Sequence, residues 1–344
     1  MRAAVLRSPG DLSIVEVPTP EIGDGEILVK VAATTLCGSD VRIYLGQKTG
    51  GVRWPAVIGH EFSGIVAAVG DGAPDLLGRT VSVIPWIACG ACPSCVAGRR
   101  NLCDDLRVLG YGEHGSLAEY VRVPADAVES GCVVPVEADV PATHLALAEP
   151  LACALHGHRR SDIRLGQSVL IVGGGPIGLF HLQLAVLAGA EKVIVSEPGE
   201  LRREVATRFG ATAVVDPSQE DLREIVMRET GGTGVDHTIV CIGYGELVDD
   251  VVACTRKAGR VNLFAGFGGS GSAEINLNAI HYGEYDVIGN VGGTRRDFTD
   301  ALALITSGRI RAAEMITREF SLEDATEAMA EAVGGGALKV AVTS

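Results

Sequence analysis

Aromatic residues make up only 4% of the 344-residue chain, and no apolar run reaches the roughly 18 residues that cross a bilayer. Positive charge is scarce too, with 29 Lys and Arg against 43 Asp and Glu, a net charge of −14. That balance argues against nucleic acid and membrane surfaces as partners. The start, Met1 to Val5, lacks the charged head and long apolar stretch of a secretory signal. A cytoplasmic location is therefore expected, with the nine cysteines as reduced thiols available to metals rather than as disulfides. Internal repeats and low-complexity segments are absent. What is present is a chain 47% hydrophobic with 45 glycines, long enough for two domains and a sizeable core.

The most informative stretch lies in the middle. Ser168 to Val172 is short, β-branched and apolar, and reads as a buried strand. Gly173, Gly175 and Gly178 then fit G-x-G-x-x-G, with Pro176 and Ile177 opening a helix that runs to Gly189. The first glycine permits a tight turn, the second lets backbone approach a pyrophosphate, and the third lets helix and strand pack closely. Free N–H groups at the helix start suit phosphate. A second strand, Lys192 to Ser196, ends at Glu197, where an acidic side chain would hold the ribose hydroxyls of NAD. The glycine pattern alone fits an ordinary strand-helix turn. Strand, glycines, helix, second strand and acid together define a dinucleotide site.

Before this stretch the chain reads as β-rich, with short strands at Ala3–Arg7, Leu12–Val17, Ile27–Ala33, Ile65–Val69, Val81–Pro85 and Leu117–Val123. Thr143 to Arg160 reads as one helix. Beyond the loop, helices at 199–209, 219–230 and 245–257 alternate with strands at 212–215, 236–241 and 260–265. Tyr285–Val291 is a further candidate strand, Arg295–Ser307 and Leu322–Val333 are helices, and Leu338–Val342 is a closing strand. The alternation predicts an α/β fold with a doubly wound parallel sheet, helices on both faces.

Cys89, Cys92, Cys95 and Cys103 form C-x2-C-x2-C-x7-C in a loop rich in Gly, Pro and Arg. Four thiolates can close a tetrahedral structural zinc site. A redox C-x-x-C pair would not need the other two, and an iron–sulfur cluster takes the same ligand set; zinc is favoured. A second set is dispersed: Cys37, His60, Glu61 and Glu149. Singly these read as a buried thiol, a core histidine and solvated carboxylates. Together they offer the soft, borderline and hard ligands of a catalytic zinc with an exchangeable position.

On Cys37-Gly-Ser-Asp40, Gly59-His-Glu61, the four-cysteine lobe, Glu149-Pro-Leu151 and Gly173 to Gly178, the chain resembles the zinc-dependent medium-chain alcohol dehydrogenases, in their sorbitol, threonine and polyol branch. The likeness covers essentially the whole length. It implies a GroES-like β-barrel catalytic domain at 1–150, with the structural zinc lobe at about 86–106. A Rossmann NAD-binding domain at 151–290 and a return to the catalytic domain at 291–344 would follow. It also implies two zinc ions per subunit, a homodimer or homotetramer, and a catalytic zinc faced by Cys37, His60 and Glu149. Glu61 would be a ligand or an exchanging neighbour. Ser39 matches the position whose hydroxyl relays the alcohol proton; the residue by itself also reads as a turn or cap serine.

Two departures bear on substrate. Arg42 stands where many relatives carry a proton-passing histidine, and it cannot titrate near neutral pH. It is equally readable as a ligand for an anionic substrate or cofactor phosphate and as a surface guanidinium. Val291-Gly-Gly-Thr294, followed by Arg295 and Arg296, replaces the arginine-bearing segment of sorbitol dehydrogenases. Sorbitol itself is disfavoured, and the small residues leave room for a ring-shaped polyol. Glu197 favours NAD over NADP, with Arg202 and Arg203 flanked by Glu200 and Glu204. The expected activity is hydride transfer from a secondary alcohol of a polyol, cyclitol or sugar-like compound to NAD, with zinc as Lewis acid. L-Threonine or another amino alcohol is the alternative substrate, and a sugar phosphate the third. A nucleotide-binding protein without chemistry is the reading from another class, and it conflicts with the complete ligand set.

Overall fold

The computed structural model describes residues 1–268 and 271–344. The chain forms two compact units, Met1–Ala152 with Gly293–Ser344, and Cys153–Gly292.

The first unit is built on a seven-stranded sheet whose path runs Ile316–Ser321, Lys339–Thr343, Ile27–Thr35, Glu61–Val69, Thr80–Val83, Val133–Pro135, with Tyr120–Val123 also paired to Ile27–Thr35. The strand Ile27–Thr35 is the spine of this sheet. Its sequence is almost wholly apolar or small, seven of its nine residues are buried, and it pairs antiparallel with three different strands. Buried on both faces, it shows the continuous apolar run of an interior strand instead of alternation. Its register sets Thr35 opposite Glu61 on one side and opposite Ala341 on the other. Three strand ends therefore converge where Ile27–Thr35 runs out into Leu36 and Cys37. Gly64 sits at a register shift, and a Cβ there would lie 2.1 Å from the Lys30 carbonyl oxygen. Two strands crowd too closely for any other residue.

The second unit is a six-stranded parallel sheet in the order Ala213–Val215, Lys192–Ser196, Ser168–Val172, Val235–Val240, Thr255–Leu263, Asp286–Gly289. This is the 3-2-1-4-5-6 order of the doubly wound dinucleotide fold. Leu170, Val172, Ile194, Val215, Val240 and Val261 form its buried core, each contributing about 1.5–3 kcal/mol of burial. Strand order reverses between Ser168–Val172 and Val235–Val240, and ligands bind at such a switch point.

Several elements depart from the sequence reading. The helix expected over Thr143–Arg160 is two helices, Ala142–Ala146 and Ala148–Ser161. Pro150 has no N–H to donate to Ala146, so the ladder breaks and a new helix starts with proline in its first turn. The helix expected over 245–257 shrinks to a 3₁₀ turn, Gly245–Leu247, and Val248–Ala253. Its last residues join the strand Thr255–Leu263, which begins five residues earlier than expected. Ala258 there takes a left-handed φ of 56°, a kink that disguises the strand in sequence. The helices Gly38–Tyr44 and Leu277–Gly283 and the strand Ile316–Ser321 were not foreseen. Among the described residues no helix is long and apolar enough to cross a membrane.

Candidate active site

The dispersed residues Cys37, His60 and Glu61 come together, with one ligand atom from each lying within 4.8 Å of the others. Cys37 is the N-cap of the helix Gly38–Tyr44, reached directly from the central strand. Asp40 closes that cap, its Oδ2 accepting from the Cys37 N–H at 2.9 Å, while its Oδ1 accepts from the Gly59 N–H at 3.3 Å. The same Oδ1 stands 3.2 Å from His60 Nδ1. One fully buried carboxylate thus ties both metal-ligand candidates to the backbone turns that carry them. Burial opposes the charge of Asp40, yet His60 beside it brings its pKa below the ordinary value. Burial likewise opposes a charged His60, and Asp40 overrides it, holding the imidazole pKa well above the usual histidine range.

Glu61 opens the strand Glu61–Val69 and is fully buried. Its carboxylate accepts from Lys339 Nζ at 2.7 Å and from the Thr35 hydroxyl. Lys339 opens the strand Lys339–Thr343 and is itself 5% exposed. Burial works against its charge, but Glu61 holds its pKa above that of ordinary lysine, with support from Cys37 and Glu149. A buried pair of this kind is stable only while both members stay. Glu149 is buried in the first turn of the helix Ala148–Ser161 but lies outside the close ligand group of Cys37, His60 and Glu61.

Ser39 lies two residues after Cys37, and its Oγ accepts from the Tyr111 hydroxyl at 2.7 Å. The Tyr111 ring meets His60 edge to face at 5.3 Å between centroids. Burial pushes the phenol pKa above that of an ordinary tyrosine, so Tyr111 keeps its proton and acts here as a donor to the Ser39 hydroxyl. Arg42, on the same helix, is exposed.

The sulfurs of Cys89, Cys92, Cys95 and Cys103 also lie within 4.8 Å of one another, and all four are free thiols. A zinc tetrahedron with Zn–S of about 2.3 Å has S···S edges of about 3.8 Å, so the cluster fits. The strand pair Trp86–Ile87 with Arg107–Val108 closes the base of the lobe. Backbone N–H groups of Asp104 and Cys95 lower the Cys92 thiol to about 7, whereas burial raises Cys95 to about 12. Four adjacent sulfurs cannot all ionise without a cation, and a divalent ion supplies that charge. The donor sets fit zinc at both places: four thiolates in the lobe, and a mixed S/N/O set beside Ser39.

In the second unit, Gly173 adopts φ 103°, and a Cβ there would lie 2.5 Å from Ile242 Cγ2. A Cβ at Gly178 would lie 1.8 Å from the Gly173 carbonyl oxygen. At Gly175, by contrast, a Cβ meets nothing within 4 Å. The first and third glycines are demanded by the fold itself, and the second faces open space where a pyrophosphate would approach. Pro176 and Ile177 open the helix Pro176–Leu187 with Gly175 as its cap. Glu197 is buried, and its carboxylate accepts from the Gly174 N–H at 2.7 Å and the Gly199 N–H at 2.9 Å. Arg202 lies 3.9 Å from it, and Arg203 pairs with Asp216 at 3.1 Å.

Residues 23–135 match the alcohol dehydrogenase GroES-like domain, and residues 176–307 the zinc-binding dehydrogenase family. The chain is 35% identical to an L-threonine 3-dehydrogenase of Pyrococcus furiosus over 94% of its own length and 92% of that protein. It is 31% identical to a D-arabitol-phosphate dehydrogenase of Enterococcus avium, covering 100% of this chain and 97% of the other. A solved structure of a putative zinc-binding dehydrogenase from Sinorhizobium meliloti, bound to NADP, superposes with a TM-score of 0.93 at 36% identity, covering 100% and 99% of the two chains. The chain therefore belongs to the zinc-dependent medium-chain alcohol dehydrogenases. It is an oxidoreductase with a GroES-like and a Rossmann domain, acting on a small molecule with a nucleotide cofactor.

Sequence reasoning singled out Cys37, His60 and Glu61 but missed the residues that hold them: Asp40, Lys339, Thr35 and Tyr111. Two left a signal. Asp40 stands at capping distance from Cys37, and Lys339 is a lone charge in the apolar run Leu338–Val342.

Proposed function

We propose that the chain oxidises a secondary alcohol of a polyol or sugar-like compound to the ketone with NAD, and runs the reverse reduction. The observation that carries this is the convergence of half-buried Cys37 with buried His60 and Glu61, next to the Ser39 hydroxyl. Cys37 and His60 would hold a catalytic zinc, with Glu61 or Glu149 as the exchangeable carboxylate. Zinc in this place would supply Lewis acidity, and the nicotinamide would accept the hydride. The alcohol carbon gives up its hydride and the oxygen its proton, leaving the ketone, reduced nicotinamide and one proton. Ser39, fixed by Tyr111, is placed to receive that proton in a hydrogen bond. Asp40 keeps His60 and the Cys37 turn in position, and Lys339 governs how freely Glu61 can move. Cys89, Cys92, Cys95 and Cys103 would hold a structural zinc.

Gly173, Gly175, Pro176, Ile177 and Gly178 would bind the pyrophosphate and Glu197 the adenosine ribose. The Glu197 carboxylate, anchored by two backbone amides, supports NAD, because a 2′-phosphate would meet its negative charge. L-Threonine is the second reading, favoured by the Pyrococcus relative. A cytoplasmic homodimer or homotetramer completes the proposal, and light scattering at micromolar protein would check the assembly. The test of function is formation of reduced nicotinamide by zinc-replete protein. NAD and NADP would be offered with alditols, cyclitols, sugar phosphates, L-threonine and simple secondary alcohols. Selective turnover with NAD, lost at least a thousandfold in Cys37→Ser, is the expected result. Turnover that survives Cys37→Ser would remove the site from this role.

A further inference from the structure

The segment that follows the helix Gly38–Tyr44 carries Lys48, half-buried, with its Nζ 3.7 Å from the centroid of the Tyr111 ring. Tyr111 is the residue whose ring packs against His60 and whose hydroxyl donates to Ser39. Lys48 is therefore one side chain removed from both the metal-ligand candidate and the proton acceptor. Its backbone is fixed as well: the N–H groups of Gln47 and Lys48 both donate to the Arg42 carbonyl, at 2.8 and 3.1 Å. The backbone of Tyr111 is held in turn, its carbonyl accepting from the Arg53 N–H at 2.9 Å.

None of Lys48, Arg42 and Arg53 has a carboxylate within ion-pair distance among the described residues. Lys48 and Arg42 lie near enough for the arginine to lower the lysine's pKa, yet neither has a carboxylate partner among the described residues in a chain with 43 acidic residues and a net charge of −14. The nearby negative groups are committed elsewhere, Asp40 to His60 and two backbone amides, Glu61 to Lys339. Burial has removed part of the hydration of Lys48 and lowers its pKa, while Cys37 and Asp40 oppose that at a distance. A partly dehydrated ammonium with no counterion gains strongly when an anion completes it. The aromatic face of Tyr111 accounts for its position but leaves its three N–H donors free for another group.

We propose that Lys48, with Arg42 behind it, recognises an anionic group on the substrate, so that the alcohol oxidised here carries a carboxylate or a phosphate. This rests on the dehydrogenase reading above and narrows its substrate class. Neutral alditols and simple secondary alcohols become poor substrates, and sugar acids and alditol phosphates good ones.

Matched pairs test this in zinc-replete protein with saturating NAD. Each alditol is set against its terminal phosphate and against the aldonate of the same chain length and configuration. The kcat/KM ratio of anionic to neutral partner is measured at low and at raised NaCl. The phosphate arm and the carboxylate arm decide which anion is read. The expected result is a preference of at least tenfold for one anionic series, weakened by salt and carried mainly by KM. In Lys48→Met that preference falls roughly ten- to hundredfold, and in Lys48→Arg it is largely kept. Equal melting temperatures of the two variants separate recognition from folding. Neutral alditols turned over as well as both anionic series, or a preference unchanged in Lys48→Met, would overturn the inference and leave the dehydrogenase reading standing. Absence of turnover on every compound, with zinc and nucleotide bound, would overturn both.

Discussion

Lys339 and Glu61 are each almost fully buried, and each is the other's principal charge partner. Removing one member strands the other. Lys339→Met is expected to destabilise the zinc-loaded protein by roughly 3 to 5 kcal/mol in urea unfolding, and adding Glu61→Met should restore most of the loss. A loss under about 1 kcal/mol would mean that Glu61 turns to another cation once lysine is gone. The pair also marks the limit of reading single residues. Cys37, His60 and Glu61 were legible because thiol, imidazole and carboxylate stand in short motifs whose chemistry is recognisable in isolation. Lys339 and Tyr111 were not, because they lie 278 and 72 residues from Glu61 and Ser39, the partners they hold. Only the pairing of Ile27–Thr35 with both neighbouring strands brings the lysine in.

At the scale of elements, the strand Ser168–Val172, its glycine loop and the helix Pro176–Leu187 stand close to where the sequence placed them. Their signals are local: an apolar run, three glycines with separate steric duties, and a proline at the first helical turn. Gly178→Ala tests the tightest of those duties. A methyl group 1.8 Å from the Gly173 carbonyl oxygen must push helix and strand apart. Nucleotide affinity, measured by titration calorimetry, is expected to fall at least tenfold, whereas Gly175→Ala is accommodated in the apo fold and loses affinity alone. An unchanged melting temperature for Gly178→Ala would contradict the packing argument. The elements that escaped the reading have non-local causes. Ile316–Ser321 has no alternation to announce it and is a strand because Lys339–Thr343 pairs with it. Thr255–Leu263 starts early because Thr255 finds a partner in Val235.

At the scale of the whole molecule, the nucleotide unit holds an acid sensitivity that none of its motifs requires. Among the described residues, His158, His181 and His237 are buried without a hydrogen-bond partner for at least one ring nitrogen each, and His181 has none for either. Burial depresses their pKa values to about 4, 3 and 4, with His158 further depressed by His237 and His181 by His158. The unfolded chain, titrating near 6.5, takes up protons that the folded unit refuses. Stability is therefore complete above pH 6.5 and falls as the pH drops towards 4. Melting temperatures between pH 4 and 7 should follow this course, and His181→Leu should flatten it, since no hydrogen bond is lost with the imidazole. A profile as steep in His181→Leu as in the parent would assign the acid lability elsewhere.

The division of the first unit into Met1–Ala152 and Gly293–Ser344 also sets an order of events during synthesis. Chains emerge from the ribosome at about 5–20 residues per second, so Cys37, His60 and Glu61 appear many seconds before Lys339. In that interval Glu61 is a carboxylate with no lysine, on a sheet still missing Lys339–Thr343 beside its central strand. The nascent N-terminal segment is then an unfinished sheet with an open edge and an exposed thiol, a natural client for a holding chaperone. The nucleotide unit, continuous in sequence, can complete itself first and wait.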